Sequence, residues 1–586
     1  MSSDILLKKG ELSKSFKESF TRYYSSIVDN KEYAEHKLSK WGNSQNILIY
    51  VAEKDNETVG WIIFNPDHSS IEEVLLKKEW HGKDIEFHIF DALINKESLI
   101  SAKILKEDEG KYALMVDYGF RPTRLFKSDG FDQVKMDLST SVFLNKVQGR
   151  KPAKEYTKQE TVAVEKVPVT RTHEEIKASI MNVLNALGGL ENFVEKGQTV
   201  VLKPNVVADH GLRNGVYTGG IVTDIGIMRA LIEILLPIAG KVVVAEGASI
   251  NRAETTKLFE HYGYDKLVDL DPVKVSLVDL NAADKLVRKS VPGGKRMLSR
   301  EIPGTLENAD TIINVPVMKT HFAALASLSI KSLQGAIPPI EKYMSHFFGL
   351  WQNLINIHHL VKPKLHIIDG LTAQENFGPV YGTPKTMNLI IGGTNPVAVD
   401  AVTMRIMGLD PALSPPVQLA HMQGLGSIEP EKINVAGTPI DEVMSPFKEA
   451  EINLESGKNL IVHAESACPG CKGYLHYVLN KLRRPDPQNP DNLLIDRPFE
   501  KKVNVFVGPF SKAEPNPEET NVFLGICQQH HAEMGKHLPG CPPHAEVIMK
   551  GMFSLYPDVE RPQYADQSAE DKLEEMLEEV LAGETP

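Results

Sequence analysis

The stretch TVVLKPN, residues 199–205, is a short run of apolar, mostly β-branched residues that ends in Lys203, Pro204 and Asn205. Four later runs have the same form: KVVVAEG (241–247), TIINVP (311–316), LHIIDG (365–370) and NLIIGGTN (388–395). Stretches with helical spacing lie between them, such as TDIGIMRALIEILLPIAG (223–240) and NPVAVDAVTMRIMG (395–408). Apolar strands alternating with helices are typical of a mainly parallel sheet buried on both faces. The sequence therefore predicts an α/β fold with a central domain at residues 161–445.

Polar side chains stand at or just beyond the ends of these predicted strands. In open parallel sheets, ligands bind in a crevice outside the carboxyl ends of the strands. The polar residues at these ends are Lys203, Asn205, Glu246, Asn314, Lys319, His321, Asp369 and Asn395. We expect several of them to surround one crevice.

The chemistry of these residues predicts a small anionic substrate. Lysine acts as a point charge toward carboxylate or phosphate groups, and histidine adds a hydrogen-bond donor. The candidate catalytic residues are Lys203, Lys319, His321 and Asp369, and the candidate substrate-binding residues are Asn205, Asn314, Lys331, Glu375 and Asp400. Each also has a structural interpretation, because a charged residue at a strand end is commonly a satisfied ion pair or a helix cap.

Six separated motifs mark the central region. They are KPNVV (203–207), TDIGIMRALIE (223–233), INVPVMKTH (313–321), SIKSLQGAIP (329–338), DGLTAQENFGPVYGTP (369–384) and GGTNPVAVDAVTMRIMG (392–408). With these motifs in this order, the region resembles the DUF362 family. The resemblance implies a mostly bacterial or archaeal protein that often carries an iron–sulfur module, and it implies no particular reaction.

All four cysteines of the chain lie between residues 468 and 541. Cys468 and Cys471 form a C-x-x-C pair, and Cys527 and Cys541 each follow a strand-like run. Four thiolates suit a [4Fe–4S] cluster or a structural zinc ion. The stretch LPGCPPHAEVI (538–548) also resembles the cluster-bearing small subunit of NADH–quinone oxidoreductases and nickel–iron hydrogenases, although only Cys541 carries over. These features favour a [4Fe–4S] cluster as the cofactor.

Two alternatives to the cluster stay open. A zinc ion would use the same thiolates or replace one of them by a histidine, with His530, His531, His537 and His544 as candidates. A redox-active dithiol is the other alternative, since CPGC precedes a helical stretch, as in thioredoxin-like proteins.

Residues 1–140 have an order of strands and helices that resembles the GNAT acetyltransferases. That family binds the pyrophosphate of acetyl-CoA on a glycine-containing turn at a helix N-terminus. Here the aligned turn is EWHGKD (79–84), which keeps Gly82 but places Glu79 and Asp84 where they would repel a pyrophosphate. We therefore expect a degenerate acyltransferase fold with a structural or interaction role. Residues 141–160 form a predicted linker, residues 446–560 a Cys-containing module, and residues 561–586 an amphipathic helix.

Composition limits the remaining function classes. The formal charge of −12 disfavours nucleic-acid binding, which needs a basic surface. The most apolar run (226–245) contains Arg229, Glu233, Pro237 and Lys241, so no membrane span is expected, and a cytoplasmic location follows from the lack of an apolar signal segment. The leading hypothesis is an iron–sulfur redox enzyme or electron carrier acting on a small anion with a redox partner protein. The alternatives are an accessory protein with a structural cluster or zinc, and an acyl-CoA-dependent N-acyltransferase.

Overall fold

The computed structural model describes residues 5–562 and Glu575, apart from residues 82–83, 98–99, 153–154, 210–211, 214–215, 218, 250–253, 284 and 293–294. Gly82 of the EWHGKD turn lies outside the described residues. So does the helix expected at residues 561–586, except for Arg561, Pro562 and Glu575. None of the described helices is long and apolar enough to cross a membrane.

The first third of the chain mixes strands and helices. They are β1 (Leu6–Lys9), α1 (Lys14–Ser26), α2 (Lys31–Gly42), β2 (Leu48–Lys54), β3 (Glu57–Asn65), β4 (Ser70–Leu76), α3 (Ile85–Glu97), β5 (Ser101–Leu105), α4 (Glu109–Tyr118), β6 (Phe120–Ser128), β7 (Phe131–Leu138) and α5 (Thr140–Val147).

The central region is the largest. Its strands and helices are β8 (Glu160–Lys166), α6 (His173–Ala186), β9 (Thr199–Pro204), β10 (Leu212–Arg213), β11 (Val216–Tyr217), α7 (Ile225–Leu235), β12 (Lys241–Glu246), α8 (Thr255–Tyr262), β13 (Val275–Asp279), β14 (Leu286–Ser290), β15 (Ser299–Pro303), α9 (Gly304–Glu307), β16 (Thr311–Val315), β17 (Val317–His321), β18 (Leu325–Ser327), α10 (Ser329–Ser332), α11 (Pro339–Phe348), α12 (Leu350–Val361), β19 (Leu365–Glu375), β20 (Thr383–Gly393), α13 (Pro396–Ile406), α14 (Pro415–Met422), β21 (Ile433–Gly437) and α15 (Ile440–Val443).

The last region holds the cysteines. Its strands and helices are β22 (Leu460–His463), α16 (Pro469–Leu482), β23 (Pro485–Asp486), β24 (Asn489–Leu493), β25 (Val503–Val507), β26 (Thr520–Leu524), β27 (Lys536–Leu538) and α17 (Ala545–Phe553).

The chain forms two compact units, and each is assembled from separate segments. Unit 1 comprises Met1–Glu155, Ser456–Cys468 and Ile495–Cys541, and unit 2 comprises Tyr156–Glu455, Pro469–Leu494 and Pro542–Pro586. The segment predicted as a Cys-containing module, 446–560, thus contributes to both units. Helix α5 occupies the first part of the segment predicted as a linker.

Unit 1 contains two sheets. The first has the strand order β1-β2-β3-β4-β5-β7-β6, and its neighbours are antiparallel except for β4 and β5. Helices α1 and α2 cover it with an aromatic core that includes Phe16, Phe20, Trp41 and Trp61. The second sheet is parallel, with the order β22-β25-β26-β27. Glu79 and Asp84 of the EWHGKD turn are both exposed.

Unit 2 is built on a ten-stranded sheet with the central order β13-β12-β9-β16-β19-β20-β8-β21. Strands β13, β12, β9, β16 and β19 are parallel, whereas β20 is antiparallel to both of its neighbours. The predicted α/β class with a mainly parallel central sheet is therefore confirmed. Strand β17 follows β16 after Pro316 and pairs with the second half of β19.

The core of unit 2 explains why these segments form strands and helices. Strand β9 is almost entirely buried because its valines and leucine pack beneath α6 and α7. A capping box formed by Thr172 and Glu175 starts α6, and the Asp224 side chain accepts the Gly226 N–H to start α7. The parallel strands β9 and β12 then end together, and their last residues face one region of the unit.

Candidate anion-binding site

Unit 2 contains a cavity of about 200 Å³ at the carboxyl ends of β9 and β12 and along β17. This is the position where open parallel sheets bind ligands. Its polar and aromatic lining includes Asn205, Glu246, Lys319, His321, Phe322, Lys331, Gln334, Lys342, His346, Tyr381, Tyr474, Tyr477, His544 and Glu546. Of the predicted site residues, Asn205, Lys319, His321 and Lys331 are brought together here.

Lys203 and Glu246 form a buried ion pair at the edge of this cavity. The Lys203 Nζ donates to Glu246 Oε2 at 2.5 Å and to the Pro204 carbonyl at 3.0 Å, and neither side chain is more than 3% exposed. Burial raises the pKa of Glu246, while the nearby Lys203 ammonium opposes that increase. Lys203 therefore neutralises the one carboxylate at the end of β12.

Lys319 projects from β17 and has no carboxylate partner in the described part of the chain. Its Nζ donates to Asn205 Oδ1 and, at 2.8 Å, to the Ile221 carbonyl. These two acceptors use two of the three ammonium hydrogens, so one remains for a ligand. Burial, followed by the nearby charge of Lys331, lowers the pKa of Lys319 to about 7.

Lys342, on α11, is also surrounded by neutral acceptors. Its Nζ donates to the carbonyls of Gly247 and Ala248, each at 2.9 Å, and to Asn281 Oδ1 at 2.5 Å. Three acceptors require three N–H groups, so the amine holds the loop after β12 as an ammonium. Burial nevertheless lowers the pKa of Lys342 to about 7.

Lys331, on the short helix α10, lines the cavity, and its Nζ has no hydrogen bond or ion pair among the described residues. Burial and then the charge of Lys203 lower the pKa of its amine to about 8. Near it, Gln334 Oε1 is buried and accepts no hydrogen bond from the described residues. The cavity therefore presents an amine and an amide oxygen that the described chain leaves unpaired.

Backbone contacts fix the tautomers of three histidines in the cavity wall. His321 Nδ1 accepts the Ala323 N–H at 3.0 Å and His544 Nδ1 accepts the Glu546 N–H at 3.4 Å, so each neutral ring carries its proton on Nε2. His346 is opposite, because its Nδ1–H donates to the Pro542 carbonyl at 3.1 Å and leaves Nε2 as an acceptor. Burial holds the pKa of each ring below its usual value, to about 4 for His544.

Aromatic rings form another part of the cavity wall. Phe322 lies 5.1 Å from the Tyr474 ring, edge to face, and 6.1 Å from the Tyr477 ring in a stacked arrangement. Both tyrosines belong to α16, the helix that contains Cys471. The cavity therefore combines donors and cations with flat apolar surfaces, as small-ligand sites commonly do.

Asn314, Asp369, Asp400 and Glu375, which the sequence predicted for the site, do not line the cavity. Asn314 bonds the Ser329 carbonyl and Ser332, and Asp369 accepts the backbone N–H groups of Asp224 and Leu371. Asp400 accepts two backbone N–H groups of α10, and Glu375 pairs with Lys385 at 3.2 Å. These four residues hold the backbone in place, and Asp400 does so for the helix that carries Lys331.

The cavity also contains residues that the strand-end argument did not identify. Lys342, His346 and His544 lie on α11 or at the N-cap of α17, far along the chain from the strands whose ends they face. His346 reads in the sequence as a packing residue because two phenylalanines follow it. The sequence feature that could have indicated His544 is the PPHAE segment, in which the histidine precedes a helix as its N-cap.

Three of the four cysteines lie together in unit 1. The Cys527 thiol is buried, and burial followed by the Cys541 thiol raises its pKa to about 12, with a smaller contribution from Cys468. The Ser139 hydroxyl is 3.0 Å from Cys527 Sγ, and the Thr140 hydroxyl is 3.4 Å from Cys541 Sγ. Ser139 and Thr140 begin α5, whose N-terminal end stabilises negative charge.

The thiols have the chemistry that a thiolate-bound metal centre requires, but their placement is not that of a metal site. Buried thiols near a helix N-terminus and the Arg121 guanidinium are chemically suited to a bound cation that deprotonates them. Within the described residues, no group of three or more histidine, cysteine, aspartate or glutamate side chains is placed so that it could hold a metal ion. Cys471 is buried at the start of α16 in unit 2.

Comparisons with known proteins support the resemblance of the central region to the DUF362 family. Residues 200–405 match the family model described as a domain of unknown function, DUF362. A thylakoid-associated protein of Synechocystis sp. is 27% identical over 283 residues, which cover 47% of this chain and 83% of that protein. That relative is thylakoid-associated by name, and the cytoplasmic location expected for this chain stays a prediction.

Solved structures similar to this chain include GNAT acetyltransferases. The spermidine N-acetyltransferase of Vibrio cholerae, in complex with CoA and spermine, is 16% identical with a TM-score of 0.19, covering 25% of this chain and 100% of its own. A GNAT family acetyltransferase of Elizabethkingia anophelis with bound acetyl-CoA is 14% identical with a TM-score of 0.18, covering 23% of this chain and 99% of its own. At such TM-scores the likeness carries no conclusion about activity.

The motif order and the match over residues 200–405 agree, and the cavity residues Lys319, Lys331 and Lys342 all lie within that range. Residues 200–405 therefore match the DUF362 family that the sequence motifs predicted for the central region.

Proposed function

We propose that the cavity of unit 2 binds a small anionic molecule through its carboxylate or phosphate group. The observation that carries this proposal is the excess of buried positive charge. Lys319, Lys331 and Lys342 line the cavity without a carboxylate partner in the described chain. The two carboxylates of the lining already have cationic partners, Glu246 with Lys203 and Glu546 with Arg561 at 3.7 Å. A buried charge is expensive unless it is paired, and an anion would supply the missing partner.

The anion would contact the groups that the protein leaves available. These are the third N–H of Lys319, the amine of Lys331, and the Nε2–H of His321 and of His544. Each would donate a charge-assisted hydrogen bond to an anionic oxygen, and such bonds are stronger than those between neutral groups. The cavity volume of about 200 Å³ favours a molecule of a few carbon atoms.

Calorimetric titration of the full-length protein with lactate, succinate and inorganic phosphate tests this proposal. Losing one charge-assisted contact costs about 1.5–3 kcal/mol, so Lys319→Ala is expected to weaken binding roughly 10- to 150-fold. Lys266→Ala, a change of an exposed lysine of unit 2, serves as the matched control and should bind like the wild type. Wild-type protein that binds none of these anions would contradict the proposal, and so would equal affinity in Lys319→Ala.

We also propose that the cysteines hold an iron–sulfur cluster. The support is the set of three buried thiols in unit 1, with hydroxyl groups of Ser139 and Thr140 close to two of the sulfurs. Hydrogen bonds to cluster sulfurs are among the features that tune such centres. When bound, a cluster would supply electron transfer, which together with an anionic substrate gives the redox enzyme or electron carrier proposed for the whole chain.

A further inference from the structure

The four lysines around the cavity are not equivalent, and Lys331 differs from the other three. Lys203 and Lys342 each donate to three acceptors, and Lys319 is held by two. The Lys331 Nζ has no hydrogen bond or ion pair to any described residue, and the backbone carbonyl of Lys331 accepts the Leu333 N–H. Its amine is therefore free to turn toward a ligand.

Lys331 also lies among other cationic groups. Lys319, His321, His346 and His544 line the same cavity as Lys331, and the charge of the Lys331 amine lowers the pKa of each of them. An amine that is desolvated or next to another cation is held partly in its neutral form, and a neutral amine is a nucleophile. The pKa of Lys331 is lowered accordingly, to about 8.

We propose that Lys331 is a nucleophile that forms an imine with a small anion carrying a ketone or aldehyde group. The proposal rests on the anion-binding function proposed above. The other groups divide the remaining tasks, with Lys319 and the His321 Nε2–H holding the anionic end of the molecule. The carbonyl group then points toward Lys331, the amine without other contacts.

The chemistry balances without an oxidant or a reductant. The neutral Lys331 Nζ attacks the carbonyl carbon, and a C–N bond forms in place of the second C–O bond. One of the two nitrogen protons passes to the carbonyl oxygen, which becomes the hydroxyl of a carbinolamine, and one proton stays on nitrogen. His346 Nε2, left as an acceptor because Nδ1–H donates to Pro542, takes the proton released by nitrogen. Return of that proton to the hydroxyl releases one molecule of water and leaves the C=N bond.

Reductive trapping of the full-length protein tests the proposal. The protein is incubated with pyruvate or 2-oxoglutarate and then reduced with borohydride, which converts an imine into a stable secondary amine. Digestion and mass spectrometry should place an adduct on Lys331 with the mass of the keto acid less one oxygen atom. Lactate, which has the same charge as pyruvate but no ketone, should give no adduct and should compete with pyruvate for trapping.

Two variants sharpen the result. Lys331→Arg keeps the positive charge but forms no imine under these conditions, so the adduct should be lost. Lys266→Arg changes an exposed lysine of the same unit and should be trapped like the wild type. The peptide map of the wild-type protein identifies the lysine even if Lys331→Arg fails to fold.

The outcomes separate the two proposals. Binding of lactate or succinate without any trapped adduct would overturn the imine and leave the anion site standing. An adduct on Lys319 or on a surface lysine would overturn the assignment to Lys331. Absence of both binding and trapping would refute the anion-binding proposal together with the inference built on it.

Discussion

The lysines of unit 2 show how partners, rather than residue type, decide what a buried charge does. Lys203 is fully buried and paired with Glu246, whereas Lys331 is half-buried and its Nζ has no hydrogen-bond or ion-pair partner among the described residues. The first belongs to the scaffold of the sheet edge, and the second is available to a ligand. The sequence predicted a role in the site for both, Lys203 as a catalytic residue and Lys331 as a substrate-binding residue, because each lies in one of the motifs KPNVV and SIKSLQG.

This difference predicts that the same substitution destabilises the fold strongly at Lys203 and only weakly at Lys331. Lys203→Met removes the partner of a buried carboxylate, which should lower the free energy of unfolding by about 3–5 kcal/mol. Lys331→Met unpairs nothing and keeps a similar volume, so the change should stay below about 1.5 kcal/mol. Urea unfolding followed by circular dichroism measures both. Equal losses in the two variants would contradict the division between scaffold and ligand lysines.

Anion affinity should fall as the pH rises through about 7 to 8, because Lys319 and Lys331 lose their protons near these values. Lys342, with a pKa of about 7, changes in the same direction. The other titratable groups around the cavity are Lys203, Glu246, Glu546, His321, His346 and His544. The three histidines have pKa values held low by burial and stay neutral over this range. Calorimetry with succinate between pH 6 and 9 would measure the effect.

The stability of the ligand-free protein should have the opposite pH dependence. In the unfolded chain these lysines hold their protons up to a pKa of 10.5, whereas in the folded chain they release them at about 7 to 8. Between these values the unfolded state binds more protons, so the free energy of unfolding rises with pH. For the succinate titrations, the contradicting result is an anion affinity that rises with pH, because it would show that the lysines do not carry the binding.

Among the secondary-structure elements, α10 is the one that places Lys331. The helix has four residues, too few to be stable alone, and the Asp400 carboxylate of α13 accepts the backbone N–H groups of Ser329 at 2.7 Å and Ile330 at 3.0 Å. The carboxylate thus acts as a cap supplied from another helix. The sequence suggested Asp400 as a substrate-binding residue, whereas in the structure Asp400 supports the helix that carries Lys331.

Asp400→Ala should therefore impair both folding and binding. Hydrogen bonds to a charged group contribute about 1.5–3 kcal/mol each, and alanine loses both, so a lower melting temperature and weaker succinate binding are expected. Asp400→Asn keeps one acceptor oxygen and should give an intermediate effect in both measurements. Normal binding in a destabilised Asp400→Ala protein would show that α10 holds its position without the cap.

The elements also show what the sequence could and could not predict. The apolar runs at 199–205, 241–247, 311–316, 365–370 and 388–395 all became strands, because continuous β-branched residues buried on both faces have few alternatives. The antiparallel direction of β20 was not readable, since an apolar run carries no information on direction. Strands β13, β17 and β21 are short or contain polar residues, so the search for continuous apolar runs did not predict them.

The cavity was predictable only where it is made by strand ends. The positions of Lys319 and His321 could be predicted because both residues lie in β17, and that of Asn205 because it comes directly after β9. Lys342, His346 and His544 come from α11 and the start of α17, and only the tertiary fold brings them to the same place. Local sequence patterns cannot supply such contacts, because they depend on packing between elements distant along the chain.

At the scale of the whole molecule, the cysteines follow the division of the chain into units. Cys468, Cys527 and Cys541 belong to unit 1, and Cys471, three residues after Cys468, begins α16 of unit 2. The thiol of Cys527 has a pKa of about 12 in the absence of a bound cation, so it would remain protonated at neutral pH. A metal would change this, since coordination deprotonates the thiol.

Protein purified without oxygen should therefore contain iron and acid-labile sulfide, about four of each per chain for a [4Fe–4S] cluster. Cys527→Ser and Cys541→Ser should each lose most of the iron, because both sulfurs lie at the start of α5 beside hydroxyl donors. Cys471→Ser tests the fourth ligand. Ser139→Ala is the matched control, since it keeps every thiol and removes only a hydrogen bond to sulfur.

The control variant separates a ligand from a tuning group. Ser139→Ala should retain iron but shift the reduction potential of the cluster, because hydrogen bonds to cluster sulfurs contribute to that potential. Iron and sulfide analysis with electron paramagnetic resonance on the same samples measures both properties. Stoichiometric zinc without sulfide would replace the cluster by a structural metal site, and protein with neither metal would leave the buried thiols as core residues. Since the cavity lysines lie in unit 2, either result would leave the anion-binding proposal to its own test.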